Sequence, residues 1–179
     1  PAAVPVVPGA QPPVAAPQRA AAPQPAAQQP AAPTTTDSIF DTFNIYGLDN
    51  DGREEVVRGQ VQIPRTLPLN ERVQMLADVV SRSQFDGRPI LLYEMRETER
   101  GQLAIFALLN PPDVTDPRGP GSWWPMFQGA TRAHATELTL FGTMLQPHYQ
   151  GPWIAGAAFV HSEGFGEHAQ RLPGPMWRP

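Results

Sequence analysis

The segment PLNERVQMLADVVSRSQFDG, residues 68–87, carries the strongest structural signal in the chain. Its apolar residues recur at steps of three and four and are Leu69, Val73, Leu76, Ala77 and Val80. Charged and amide side chains fill the positions between them, which is the pattern of an amphipathic helix. Pro68 near the start and Asp86-Gly87 after the end fit the residue preferences of helix boundaries. The segment therefore predicts one helix between Pro68 and Phe85.

Two short strands are predicted before this helix. Phe43–Tyr46 contains aromatic and branched residues, and Glu54–Ile63 alternates between polar and apolar side chains. The turn signal Asp49-Asn50-Asp51-Gly52 lies between them. The sequence therefore predicts a hairpin at the start of the domain.

The elements after the helix complete the predicted fold. Ile90–Met95 and Gln102–Leu109 are apolar runs separated by a charged linker, which predicts a second hairpin. Leu138–Leu145 has helical spacing and is stopped by Pro147. In Trp153–His161 the side chains that would point to either face of a strand are mostly apolar or small, which is typical of a central strand covered on both faces. The order β-β-α-β-β-α-β predicts an α+β fold whose mixed or antiparallel sheet is covered by two helices.

Composition divides the chain into three parts. Residues 1–36 are almost entirely Pro, Ala, Gln and Val, with a single charge at Arg19. Such a segment cannot build a core and favours extended, polyproline-like conformers, so we expect a partner surface to hold it. Residues 37–164 are long enough for one compact domain. Residues 165–179 return to Gly, Pro and isolated aromatic side chains and are expected to be a docking tail.

The basic and sulfur-containing residues exclude several chemistries. All 13 basic residues are Arg, and the chain has no Lys and no Cys. Schiff-base catalysis, a phosphate-binding P-loop lysine, thiol catalysis and thiolate metal sites are therefore excluded. With Arg19 set aside, 12 Arg face 17 acidic residues, so no nucleic-acid partner is expected.

No motif for a cofactor, metal or catalytic site emerges. The Asp49–Gly52 turn lacks the ligand spacing of a calcium loop. The four histidines include no pair at helical spacing, and no nucleophile elbow is present. Carboxylates cluster at Glu94, Glu97 and Glu99, in or near a predicted hairpin turn where solvated charges are the ordinary expectation. We therefore expect a protein that is not an enzyme and has no cofactor, with a carboxylate-dependent hydrolase as an alternative.

The most concentrated aromatic patch follows the long Pro/Gly-rich loop Asn110–Pro125. Large apolar side chains in a loop either fold back onto the core or dock a partner, and the sequence leaves both alternatives open. A platform for cell-wall sugar is a third. The candidate partner-binding residues are Trp123, Trp124, Met126, Phe127 and, in the tail, Trp177.

Three short motifs carry a resemblance to a known family: GQLAIF at 101–106, TELTLFGTML at 136–145 and WIAGAAF at 153–159. Together with the element order over about Phe43–Gly164, they resemble the GerM-type domain of spore germination, a small α/β module of bacterial envelope proteins. The block Trp123-Trp124-Pro125 departs from the family pattern. The resemblance implies an envelope-associated, membrane-tethered interaction domain and supplies no catalytic residues.

These arguments predict a non-enzymatic accessory or scaffolding subunit of a bacterial envelope or membrane-protein complex, attached through the arm and the aromatic loop. Its expected partners are protein subunits of that complex. Its expected location is periplasmic or extracytoplasmic and membrane-associated, through a leader or anchor before Pro1. A tethered module that binds cell-wall glycan is the alternative within the binding class.

Overall fold

The computed structural model describes residues 39–49, 51–52, 54–161 and 172–179, all of them in the compact unit Asp37–Pro179. The predictions made for the arm, residues 1–36, and for residues 165–171 of the tail therefore fall outside the described residues.

The described chain is an α+β domain, as the sequence predicts. Its elements in chain order are β1 Phe40–Leu48, β2 Glu55–Pro64, α1 Leu69–Gln84, β3 Ile90–Thr98, β4 Gly101–Leu108, a short 3₁₀ helix Trp124–Phe127, α2 Ala130–Leu145, β5 Gly156–His161 and β6 Met176–Trp177. No helix in these ranges is long and apolar enough to span a bilayer.

The strands form two sheets rather than one continuous sheet. β1 and β2 make a two-stranded antiparallel sheet, and the other strands follow the order β3-β4-β5-β6. Within the larger sheet β4 and β5 are parallel, whereas the outer pairs are antiparallel. The sheets stay separate because α2 occupies the second edge of β1: the Thr143 hydroxyl accepts from the Tyr46 backbone N–H at 2.9 Å, and the Gln146 amide pairs with Asn44.

Helix α1 follows its sequence pattern closely. Val73, Leu76, Ala77 and Val80 are fully buried, as the three- and four-residue spacing predicts. The helix ends where Asp86 and Gly87 take positive φ angles of 52° and 78°, and the Gly87 N–H caps the Ser81 carbonyl at 2.9 Å.

The core lies between the helices and both sheets. Phe106 and Phe159 stack on neighbouring strands with ring centroids 5.1 Å apart, and Phe141 of α2 meets Phe159 edge-on at 4.9 Å. Phe43 brings β1 into the same core, with its ring 4.4 Å from that of Trp153. Aromatic pairs at these separations are favourable beyond their area burial.

Side chains and bulges interrupt the free strand edges. The Gln74 amide accepts from the Leu92 N–H at 2.7 Å and donates to the Ile90 carbonyl at 3.0 Å, which covers part of the outer edge of β3. Tyr93 is an extra residue in β3, and Arg58 is an extra residue in β2. Such devices protect sheets against edge-to-edge pairing.

Candidate binding groove

The aromatic loop folds back onto the core at two of its four candidate residues. Trp123 is 0% exposed and its indole Nε1 donates to the Pro89 carbonyl, while Phe127 is 3% exposed. At Trp123 and Phe127 the structure therefore shows the first of the two alternatives that the sequence left open, packing onto the core. Trp124 and Met126, on the 3₁₀ helix, are half-buried.

A buried arginine explains why the loop packs inward. The Arg88 guanidinium donates to the Phe85, Pro120 and Ser122 carbonyls at 2.7–3.0 Å. It therefore joins the loop before Trp123 to the end of α1. A guanidinium has five donors and suits such a cluster of backbone acceptors.

Trp177 lies apart from the loop, where the tail docks on the domain's own sheet. It pairs with Gly156 across β5 and β6, and a Cβ atom at Gly156 would lie only 2.7 Å from the indole ring. The Arg100 guanidinium carbon is 5.5 Å from the ring centroid. Trp177 is half-buried between these contacts.

A groove of about 380 Å³ runs between α2 and the C-terminal tail. Leu138, Phe141 and Leu145 line it from α2, and seven residues at 1.5 Å per residue give these positions a span of about 10 Å. The full lining consists of Glu55, His134, Glu137, Leu138, Phe141, Gly142, Leu145, Pro147, Pro173, Met176 and Pro179. Met176 is 45% exposed. We call this feature the α2–tail groove.

The rim of the α2–tail groove is acidic. Glu137 stands on α2, and the Glu55 carboxylate lies across the helix, 3.3 Å from the position of a Cβ atom at Gly142. The described residues that line the groove include no arginine. Neither carboxylate joins an ion pair with another described residue. The groove thus combines an apolar floor with two carboxylates that lack a cationic partner among these residues.

No protein-family model, no curated protein and no solved structure matches this chain.

A second notable cluster is ionic and buried. Asp41 pairs with Arg72 at 2.5 Å and with Arg65 at 2.9 Å, and Arg72 also donates to the Tyr149 hydroxyl at 3.2 Å. The Arg72 guanidinium carbon lies 5.5 Å from the ring centroids of both Phe43 and Trp153. Arg72 Nε is buried and has no hydrogen-bond partner among the described residues. The cluster ties β1 to α1 and to the segment after α2.

Burial and pairing act in opposite directions on Asp41. Desolvation raises the pKa of its carboxyl, but hydrogen bonds with Tyr149 and Arg65 and the charge of Arg72 lower it, so the net pKa lies below the ordinary aspartate value. Burial and the hydrogen bond to Asp41 raise the pKa of Tyr149. The carboxylate is therefore held in its ionised form.

Within the described ranges, no group of three or more His, Asp or Glu side chains is placed to hold a metal ion. The structure keeps the predicted hairpin carboxylates Glu94 and Glu97 on β3, where Glu94 forms an ion pair with Arg96 at 2.9 Å.

Sequence reasoning missed the α2–tail groove itself. It placed Leu138, Phe141 and Leu145 at helical spacing on one helix but predicted no groove beside that helix. The available signal was the tail, where Met176 already stood out as an apolar docking residue. What sequence could not supply was the return of Pro173 and Met176 to the side of α2.

Proposed function

We propose that the protein is a non-enzymatic accessory subunit of a bacterial envelope or membrane-protein complex and that it binds a partner protein through the α2–tail groove. The observation that carries this proposal is the groove's apolar floor beneath Glu55 and Glu137, neither of which forms an ion pair with another described residue. Apolar floors with a few directed polar groups are typical of binding sites.

The arm supplies the second attachment in this proposal. An extended proline-rich segment has less conformational freedom to lose on binding than a flexible one, so shallow contacts along residues 1–36 can add up to stable attachment. The resemblance to GerM-type domains is the argument for placing the complex at the envelope.

Binding has more support here than the two alternatives. The buried carboxyl of Asp41 is paired with two arginines, and its lowered pKa is opposite to that of a general acid. Trp123 offers no exposed ring for a sugar, and Trp177 is in contact with Gly156 and Arg100. The proposal therefore replaces the aromatic loop with the α2–tail groove as the domain's binding surface.

Co-purification of the tagged full chain with its complex from native membranes tests the proposal. We expect deletion of residues 1–36 and the groove variant Leu138→Glu each to reduce the amount of complex retained. The matched control is Leu91→Glu, because Leu91 is 46% exposed on β3 and lies outside the groove. Unfolding curves would verify that both point variants fold. Wild-type retention by both the deletion and the groove variant would contradict the proposal.

A further inference from the structure

We infer that the occupant of the α2–tail groove is a cationic amphipathic helix of the partner protein. This inference rests on the proposed function and specifies the chemistry of the partner segment at that same groove.

Strand addition is hindered at parts of the domain's sheet edges. Gln146 and Thr143 occupy the outer edge of β1, and Gln74 occupies the outer edge of β3 at Ile90–Leu92. The extra residue Arg58 interrupts β2, and β6 has only two residues. A peptide that binds as an added strand needs an open, regular edge.

The length of the groove fits a helix. Leu138, Phe141 and Leu145 follow one face of α2 over about 10 Å, which is about two helical turns. Phe141 and Leu145 form the buried floor, with 3% and 8% exposure, and Leu138 is half-buried. A helix bound in a groove presents anchors at i, i+3 or i+4, and i+7, which span the same length of about 10 Å. Recognition of a polyproline helix uses exposed aromatic rings, and the described lining of the groove has no Trp or Tyr.

The rim of the groove carries negative charge. Glu55 and Glu137 flank the apolar floor and form no ion pair with another described residue, so arginine or lysine at the edges of a bound helix would meet carboxylates. Complementary charge at the rim of an interface speeds association and fixes orientation, while the apolar centre supplies most of the affinity. A helix with an aliphatic stripe and basic borders satisfies both parts of the groove.

Defined peptides test the inference with the full chain. The probes are two fluorescein-labelled amphipathic peptides of about four helical turns, identical in their leucine stripe, one with arginine and one with glutamate at the border positions. By fluorescence anisotropy we expect the arginine peptide to bind at least about tenfold more tightly, a difference of about 1.4 kcal/mol.

Variants locate the binding. The double charge reversal Glu55→Arg with Glu137→Arg is expected to weaken binding of the arginine peptide at least about tenfold. The same variant is expected to bind the glutamate peptide more tightly than the wild type does. Leu138→Glu is expected to weaken both peptides. The control is Glu97→Arg with Glu99→Arg, which adds the same charge at the β3–β4 turn, outside the groove.

Equal binding of the two peptides would overturn the inference, as would binding of the arginine peptide that survives the Glu55 and Glu137 reversal. Tighter binding of a proline-rich peptide of equal charge would also overturn it, as would sedimentation data showing that a second copy of the chain fills the groove. If retention in the complex depends on Leu138 while neither peptide binds, the helical cationic occupant is wrong and the accessory role stands. If the amount of protein retained in the complex changes with neither the arm deletion nor the groove variant, the proposed role as an accessory subunit is wrong.

Discussion

The side-chain amide of Gln146 pairs with both backbone groups of Asn44. Its oxygen accepts from the Asn44 N–H at 2.9 Å, and its nitrogen donates to the Asn44 carbonyl at 2.6 Å. Gln146 is 2% exposed and caps α2 in the left-handed conformation, with φ of 47°. The last turn of α2 therefore provides, at the edge of β1, the hydrogen bonds that another strand would provide.

Removing this amide is expected to destabilise the domain. Gln146→Ala leaves the Asn44 N–H and carbonyl without their partner and should lower the free energy of unfolding by about 1–3 kcal/mol. Gln146→Gly removes the same amide but tolerates the positive φ, so it should be about 1 kcal/mol more stable than the alanine variant. Urea unfolding curves measure both differences.

Gln150→Ala is the control for these variants, because Gln150 is exposed and follows the same helix. An alanine variant at Gln146 as stable as the control would contradict the edge-covering role. Size-exclusion chromatography gives a second readout, since an uncovered β1 edge is expected to promote self-association.

The Asp41 cluster predicts a pH-dependent contribution to stability. The folded pKa of Asp41 lies below its unfolded value, so its contribution is complete above the ordinary aspartate pKa and is lost as pH falls through the folded pKa. Asp41→Asn leaves Arg72 without its buried counter-ion and should cost about 3–5 kcal/mol near neutral pH. The difference in the free energy of unfolding between wild type and Asp41→Asn should become smaller at acidic pH.

Urea midpoints measured from about pH 6 to about pH 2 test this window. Asp113→Asn serves as the control because Asp113 is exposed in the loop after β4. A constant difference between wild type and the Asp41 variant across that range would show that the Asp41 carboxylate does not carry the stabilisation.

The two neighbouring tryptophans should behave differently. Trp123→Ala removes a fully buried side chain and is expected to lower the free energy of unfolding by about 3–5 kcal/mol. Trp124→Ala removes a half-buried side chain and should cost clearly less. Thermal unfolding followed by circular dichroism compares the pair, and equal losses would contradict the different burial of the two rings.

Docking of the tail depends on the absence of a side chain at Gly156. Gly156→Ala would place a Cβ atom 2.7 Å from the Trp177 ring, so β6 should separate from β5. Gly174→Ala is the matched control, because a Cβ atom there meets no atom within 4 Å. Hydrogen exchange at Met176 and Trp177 is expected to rise in the first variant alone.

Local pattern was enough to predict most of the fold. The spacing of Val73, Leu76 and Val80 locates α1 because helical burial repeats along the sequence. The division into two sheets could not be predicted, because it depends on the side-chain amide of Gln146. In the sequence, a glutamine that covers a strand edge looks the same as a glutamine that faces solvent.

The candidate site was harder to predict for the same kind of reason. Trp123 is buried because Arg88 donates hydrogen bonds to carbonyls of the loop before it. The sequence does not show this role, because an arginine next to a proline is usually expected in a solvent-exposed turn. The α2–tail groove is lined by both Leu138 and Met176, which lie in segments that no local sequence pattern links.

During synthesis, the N-terminal hairpin leaves the ribosome long before the helix that completes it, because 102 residues separate Asn44 from Gln146. A nascent chain that stops short of Gln146 carries β1 with one row of amides unpaired, a state prone to misassembly. We expect stalled chains ending before α2 to be cleaved by protease within β1, and chains that expose Gln146, Trp153 and β5 outside the exit tunnel to be protected. β1 therefore remains exposed to protease until α2 and the segment that follows it have left the ribosome.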